Sequence, residues 1–418
     1  MTASTHSADI SALVSEDRAV PFDRSRPLPE PLRPDARLSI LDVTKYFGDT
    51  TGGIRTYLLE KARYVAAHPE LRQTLVVPGP RDTVAEIDGV RCYRLRNPNI
   101  PTQRPYRFLL NASLIEQVLD RERPDLIEIG SPLLVPWLMR RANRRHRIPM
   151  VWFFHSNLPQ VVSRIGPRVG RGLAVRVARA LTRRVGSFCR ATVVASEAAA
   201  RDLEAYGVGP VIRASLGVDL EQFSPLLRER APEIRSGAGL PAGPLAIYTG
   251  RLDVEKQVDV LLDAWTHVER RTGTRLVIVG DGAARKRLQE HPYAPRVTWC
   301  PFQPDRGAVA GLLAAADVFV TASATETFGL AALEALASGV PVLSASTGAV
   351  AELVEASGAG RTFVSGDSSD LANQAVWLLS QDLPALGKRG RAFAERRHSW
   401  NGVFDRLFAA YREVVAAA

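Results

Sequence analysis

What most restricts this chain is a pattern that occurs twice: short, strongly apolar segments of strand length separated by stretches with helical periodicity. From Arg37 the segments are RLSILDVT, QTLVVPG, PDLIEIG, PMVWFF, ATVVAS and PVIRASLGV, with a helical stretch from Ile54 to Ala67 behind a turn at Gly52 and Gly53. A second series runs LAIYTG, a helix over 256–271, RLVIVGDG, VTWCPF, ADVFVTAS, a helix over 329–338, PVLSAS and RTFVSG. Strands alternating with helices run parallel, because each helix carries the chain back, and a parallel sheet is covered by helices on both faces. The expectation is an α/β chain of two Rossmann-like domains facing across a cleft, where the carboxyl ends of both sheets bind ligands.

Between the two series lies a Pro-, Gly- and charge-rich stretch, 226–243. It reads as a linker between a first domain over 37–225 and a second over 244–398. Residues 1–36 carry Pro21, Pro27, Pro29, Pro31 and Pro34 among charges, without sustained periodicity, and read as a flexible tail. Residues 399–418, from Ser399-Trp400 onward, read as an amphipathic helix. Cys92, Cys189 and Cys300 stand far apart with no CxxC pair, so they spell neither a disulfide framework nor a zinc site. No run of about 18 apolar residues exists, and the beginning lacks the basic-then-apolar order of a signal peptide. A cytoplasmic location is expected.

The net charge of +10 is concentrated in one region. Between Glu128 and Glu197 there is no Asp or Glu, while thirteen arginines occur, so the remainder of the chain is net acidic. The region 137–190 sets those arginines among Val, Leu, Ile and Ala over the helical stretches 137–147 and 161–185. Such a face suits an anionic membrane surface on the inner side of the cell, another anionic acceptor, or a solvated surface balanced by acids elsewhere. Nucleic acid is not the expected partner.

Three segments carry candidate chemistry. In TASATETFGLAALEALASGVPVL a strand ends near Ser323, a loop carries Glu326, and a helix begins around Phe328 with Gly329 in its first turn and Glu334 about two turns deeper. That spacing suits two hydroxyl clusters of one extended ligand, with helix-end amides for an anion between them, rather than an acid and a base across one bond. On spacing alone, two incidental glutamates on a buried helix are an equal alternative. In TGRLDVEKQVDVLLDAW, Gly250, Arg251 and Lys256 follow a strand and precede a helix, where amides and two cations neutralise a diphosphate. In VIVGDGAARKRL, Gly280, Asp281 and Gly282 end a strand where backbone can approach a ligand closely.

Together these segments resemble the donor-binding domain of the retaining nucleotide-sugar transferases of glycosyltransferase family 4. The resemblance spans about residues 37–418 and rests on the ordered series GRLDVEK, VGDG, then Glu326 and Glu334 inside ETFGLAALE. It implies the GT-B fold, with the helix after Ser399-Trp400 returning to the first domain, and a hexosyltransferase that takes a UDP- or GDP-sugar as donor. No cofactor or metal is expected, since no DxD follows a strand of the second domain. By the resemblance, Arg251 and Lys256 hold the donor diphosphate, Glu326 meets the sugar hydroxyls and Glu334 the ribose. The backbone of Phe328, Gly329 and Leu330 touches sugar and phosphates, Gly52 and Gly53 form a loop against the diphosphate, and Gly282 and Phe302 border the nucleotide. His155, ending PMVWFF, stands like the family histidine beside the reacting sugar, although a lone histidine is more often structural. Arg55, just inside the following helix, either adds charge or is solvated. Gln257 replaces the usual glycine after the lysine, and Pro301 another after the fourth strand.

The resemblance further implies front-face attack, with the leaving phosphate oxygen taking the acceptor proton. A membrane lipid is the expected acceptor, with a polysaccharide or small molecule as the alternative. A phosphorylase-like use of the fold is disfavoured by the chain length. From a different class, a non-catalytic nucleotide- or polyanion-binding protein keeps the basic face without needing both glutamates and the Arg251-Lys256 pair.

Overall fold

The computed structural model describes residues 10–13, 19–47, 52–101, 106–165 and 170–418. Among them the first sheet has nine strands: β1 (Val20–Pro21), β2 (Leu38–Val43), β3 (Leu71–Gly79), β4 (Thr83–Ile87), β5 (Val90–Arg96), β6 (Leu126–Ile129), β7 (Met150–Phe153), β8 (Ala191–Val194) and β9 (Val211–Arg213). Their order is β1-β4-β5-β3-β2-β6-β7-β8-β9. The second sheet holds β10 (Leu245–Thr249), β11 (Arg275–Val279), β12 (Thr298–Cys300), β13 (Val318–Thr321), β14 (Val342–Ala345) and β15 (Gly360–Phe363), ordered β12-β11-β10-β13-β14-β15. Every pairing of the second sheet is parallel, as are those of the first from β5 to β9. All six residues of β2 are buried, as befits a central strand covered on both faces. The order reverses between β2 and β6 in one sheet and between β10 and β13 in the other, which creates a crevice at each reversal.

Three expectations are corrected. Residues 19–36, read as a flexible tail, pack on the first domain: β1 pairs antiparallel with β4, and Leu28 is buried. The Arg33 guanidinium donates to the carbonyls of Val65, Ala66, His68 and Leu71, closing the open end of the helix Gly53–Ala66. Proline does not forbid this, because at a sheet edge its missing N–H is not needed. Residues 10–13 add buried Ile10 and Leu13; 1–9 and 14–18 lie outside the described residues.

The stretch 226–243, read as a linker, is largely helical and fastened to the second domain. Arg228 donates to the Ala316 carbonyl at 2.7 Å and to Asp317 at 2.6 Å, and Arg235 reaches the Ala315 carbonyl. The basic region forms three helices, Leu134–Ala142, Leu158–Ile165 and Arg171–Gly186, rather than two; Arg168 falls outside the described residues.

The last helix, Trp400–Ala416, lies on the first domain and buries Trp400, Phe404, Phe408 and Tyr411, a stripe at helical spacing. Tyr64 donates to Asp405 at 2.5 Å, and Tyr411 to Glu128 at 2.5 Å. Glu128 belongs to a wholly buried charge cluster: Lys61 donates to Asp42 at 2.7 Å and to Glu128 at 2.6 Å, while Tyr57 adds a bond to Glu128 and Gln73 one to Asp42. Such charges survive burial because Lys61 pairs with both carboxylates and Tyr57, Tyr411 and Gln73 add hydrogen bonds to them. The chain crosses between domains twice, side by side. Val218 N donates to the His398 carbonyl at 2.8 Å, and His398 Nδ1 lies 2.9 Å from the Leu216 carbonyl. No helix among the described residues is long and apolar enough to cross a membrane.

Candidate active site

The loops after β10 and β11 are laced together. Gly250 N donates to the Val279 carbonyl, Leu252 N to Asp281, and Ala284 N to Leu252. A Cβ on Gly280 would sit 1.9 Å from the Gly250 oxygen, and one on Gly282 2.5 Å from the Leu252 oxygen. The glycines of the GDG turn are thus demanded by the neighbouring loop, a reason for glycine that stands beside the ligand approach expected from the sequence. Arg251 is presented by this lacing, with its carbonyl accepting from Tyr248 at 2.8 Å. Its guanidinium donates to Asp253 and, at 3.0 Å, to Glu255.

Lys256 ends the helical turn Val254–Lys256, and its Nζ donates to Glu326 Oε1 at 2.5 Å. The two side chains are 15% and 26% exposed. Burial pushes the Glu326 carboxyl up, but the charge and hydrogen bond of Lys256, with Arg251 and Ser323 behind them, outweigh it and hold it below the usual range. Gln257 then takes a left-handed conformation, φ 51°, before the helix Val258–Thr272. That is why glycine is usual there; glutamine carries a strain of about 1–2 kcal/mol.

Glu326 sits on the loop after β13. Gly329 at φ +92° turns this loop into the helix Leu330–Ala337, so the helix starts later than the sequence suggested and Gly329 precedes it. A Cβ on Gly329 would strike Val350 at 2.3 Å. Phe328 is buried. Between Glu326 and Phe328, Thr327 reaches across the cleft: its hydroxyl donates to the His155 carbonyl at 3.0 Å, and Ser196 donates to the Thr327 carbonyl at 2.9 Å. The loop that carries Glu326 and the strand end that carries His155 therefore meet across the cleft. The His155 ring stacks on Phe153 with centroids 4.1 Å apart, and its buried Nε2 has no hydrogen-bond partner among the described residues. Burial drives this imidazole down to about 4, overriding the lift from Glu128.

Gly53 opens the helix Gly53–Ala66 against Leu330, whose Cδ2 would lie 3.7 Å from a Cβ there; a side chain at Gly52 would point into open space. Two helix N-termini, positive ends of their dipoles, meet at this point across the cleft. Glu334 is separate from Glu326 and has its own cation, accepting from Arg306 Nη2 at 2.5 Å; burial raises its carboxyl despite that partner. Beside it lies a cavity of about 130 Å³ lined by Arg306, Leu330, Thr56, Glu60, Asp219 and Gln222, among others. Phe302 does not reach this cavity and is 37% exposed beyond β12. Sequence reasoning missed Thr327, Ser196 and Arg306. The first lay within a quoted motif, whereas the other two carry no local signal.

Residues 243–381 match the sequence profile described as glycosyl transferases group 1, and 51–222 that of glycosyltransferase family 4. The chain is 33% identical, over 87% of its length and 92% of the relative's, to a GDP-mannose-dependent alpha-(1-6)-phosphatidylinositol dimannoside mannosyltransferase of Mycobacterium tuberculosis. Its fold matches sucrose-phosphate synthase from Thermosynechococcus elongatus with a TM-score of 0.75 at 22% identity, covering 91% of this chain and 100% of that one. It also matches Anabaena HepE in complex with UDP and glucose, TM-score 0.71 at 19% identity, covering 90% and 99%. With this architecture and these matches, the chain belongs to glycosyltransferase family 4 and is a GT-B hexosyltransferase that uses a nucleotide-sugar donor.

Proposed function

We propose that the chain transfers mannose from GDP-mannose, with retention of anomeric configuration and without a metal, to a hydroxyl of a membrane-lipid headgroup. The observation that carries this reading is the Lys256–Glu326 pair on the loop that meets His155 across the cleft, in a chain 33% identical to a GDP-mannose-dependent mannosyltransferase.

In this reading the donor diphosphate lies over the N-termini at Gly53 and Leu330 and draws Arg251 from Asp253 and Glu255. Glu326, ionised, accepts from sugar hydroxyls, while neutral His155 offers Nε2 to another. Glu334 accepts from the ribose. The acceptor oxygen attacks the anomeric carbon from the face the diphosphate leaves. The carbon–phosphate-oxygen bond breaks as the new glycosidic bond forms, and the acceptor proton passes to the released phosphate oxygen. Arg251 and Lys256 stabilise the charge that builds there, in a cleft that excludes competing water.

The membrane part is supported by the basic region. Leu134 and Trp137 are exposed on one helix, with Leu133 exposed just before it, and Leu173 and Val177 on another. Phe188 joins the two: Trp137 meets it edge-on at 4.7 Å, and the guanidiniums of Arg140 and Arg184 lie over its ring. Apolar side chains framed by arginines suit the boundary of an anionic bilayer. The test offers GDP-mannose and UDP-glucose to the protein with phosphatidylinositol vesicles, with and without EDTA. Transfer from GDP-mannose, unaffected by EDTA and giving an α-linked product by NMR, is expected. A β-linked product, or transfer from UDP-glucose alone, would overturn the reading.

A further inference from the structure

At the reversal point of the first sheet, where β2 and β6 lie side by side, the loops that follow these strands are built rigidly. Thr44 Oγ1 lies 3.2 Å from the Gly130 carbonyl and 2.9 Å from Ser131 Oγ, and accepts from Tyr46 N at 3.1 Å. Lys45 N donates to Ser131 Oγ at 2.9 Å. This knot presents three side chains. The Lys45 ammonium lies 4.9 Å from the centre of the Tyr46 ring, and Tyr46 meets Tyr106 edge to face, centroids 5.2 Å apart at 84°.

Three further observations set the group beside the chemistry. Lys45 is half-buried, and among the described residues no carboxylate pairs with it; burial alone depresses its ammonium. Neither phenol has a hydrogen-bond partner among the described residues, and both feel the charges of Arg251 and Glu255, which puts them across the cleft from the diphosphate loop. The neighbouring Gly130 adjoins the histidine: a Cβ there would lie 3.8 Å from His155 Cδ2.

We propose that Lys45, Tyr46 and Tyr106 form the acceptor subsite, and that it takes a cyclic polyol or sugar headgroup bearing a phosphate. The C–H face of such a ring packs on the tyrosines, the phenols bond its hydroxyls, and the phosphate answers Lys45. Among the described residues Lys45 has no carboxylate partner, and a phosphate on the acceptor would supply its counter-charge. The inference rests on the transferase reading above, which gives the first domain an acceptor to hold.

The test is ligand-observed NMR titration of the protein loaded with GDP, using myo-inositol 1-phosphate, myo-inositol and dihexanoyl phosphatidylinositol as probes. The phosphate ester should bind at least about tenfold more tightly than the free polyol. Tyr46→Ala and Tyr106→Ala should weaken both at least about tenfold, Tyr46→Phe should weaken both by less, losing the hydroxyl's bond but not the ring face, and Lys45→Gln should erase the preference for phosphate. GDP affinity should stay within about twofold throughout. Tighter binding of the lipid identifies it as the source of the headgroup, and equal binding identifies a soluble ester. Equal affinity for ester and polyol, unchanged binding in the alanine variants, or no probe bound by the GDP-loaded protein overturns the subsite. Failure of GDP itself to bind would instead sink the donor reading beneath it.

Discussion

Replacing Lys256 with methionine keeps most of its length and removes its charge. At about 4 Å, two unit charges in surroundings of effective dielectric near 20 interact by about 4 kcal/mol, and loss of one preorganised charge partner costs catalysis about 2.7–4 kcal/mol. Lys256 is only 15% exposed, but Glu326 opposite it is 26% exposed, so solvent weakens the field and the lower bound is the better guide. The expected fall in kcat is about 100-fold. Folding responds differently. Lys256→Met leaves Glu326 without its 2.5 Å partner, and Glu326→Gln does the converse, each costing about 1–2 kcal/mol for a pair of this exposure. The double variant restores stability, since neither charge is then stranded, yet it cannot restore transfer. Rates of GDP release with GDP-mannose and acceptor, read beside thermal melts of the four proteins, separate the two effects. Lys256→Met with kcat within threefold of the parent and an unchanged melt, or a double variant that recovers transfer, would refute the assignment.

Acid should expose His155. Its folded value of about 4 lies below the ordinary 6.5, so as pH falls the unfolded chain takes the proton first and stability is lost across that window. Between pH 7 and pH 5 the loss from this residue is about 2 kcal/mol, and denaturant titrations of His155→Gln should show a correspondingly flatter acid slope; equal slopes would refute it. Glu334→Ala should raise the donor KM at least about tenfold with a smaller change in kcat, which initial-rate kinetics would show. Leu134→Ser, Trp137→Ser and Leu173→Ser combined should abolish salt-sensitive flotation with anionic vesicles while leaving melting unchanged, and undiminished flotation would refute the membrane face.

The central parallel strands were legible because burial on both faces makes them mostly apolar runs, as in Leu38–Val43 and Leu245–Thr249, whereas the edge strands Val211–Arg213, Thr298–Cys300 and Gly360–Phe363 are only partly buried. The β4–β5 hairpin was missed although Asp88-Gly89, both at positive φ, stands between its strands as a turn signal, because its strands mix charges with apolar residues. Lys61, Asp42 and Glu128 could not be placed from sequence: charges are expected outside, and only the assembled fold brings a helix and two strands together over them. The donor-site residues were findable because their motif is local. Lys45, Tyr46 and Tyr106 were not, since two loops sixty residues apart in sequence meet only when the sheet closes the distance.

The paired crossings at Val218 and His398 have a consequence for exchanging parts between relatives. A recombinant that grafts a foreign first half onto this second half by a single splice near residue 218 would keep a terminal segment shaped for the wrong host. Its Tyr411 would seek a Glu128 that the graft need not supply, and Phe404 would press on an unfamiliar surface. The first domain is therefore inherited as a discontinuous unit, and a working chimera needs two splices, with the final seventeen-residue helix travelling alongside the beginning of the chain.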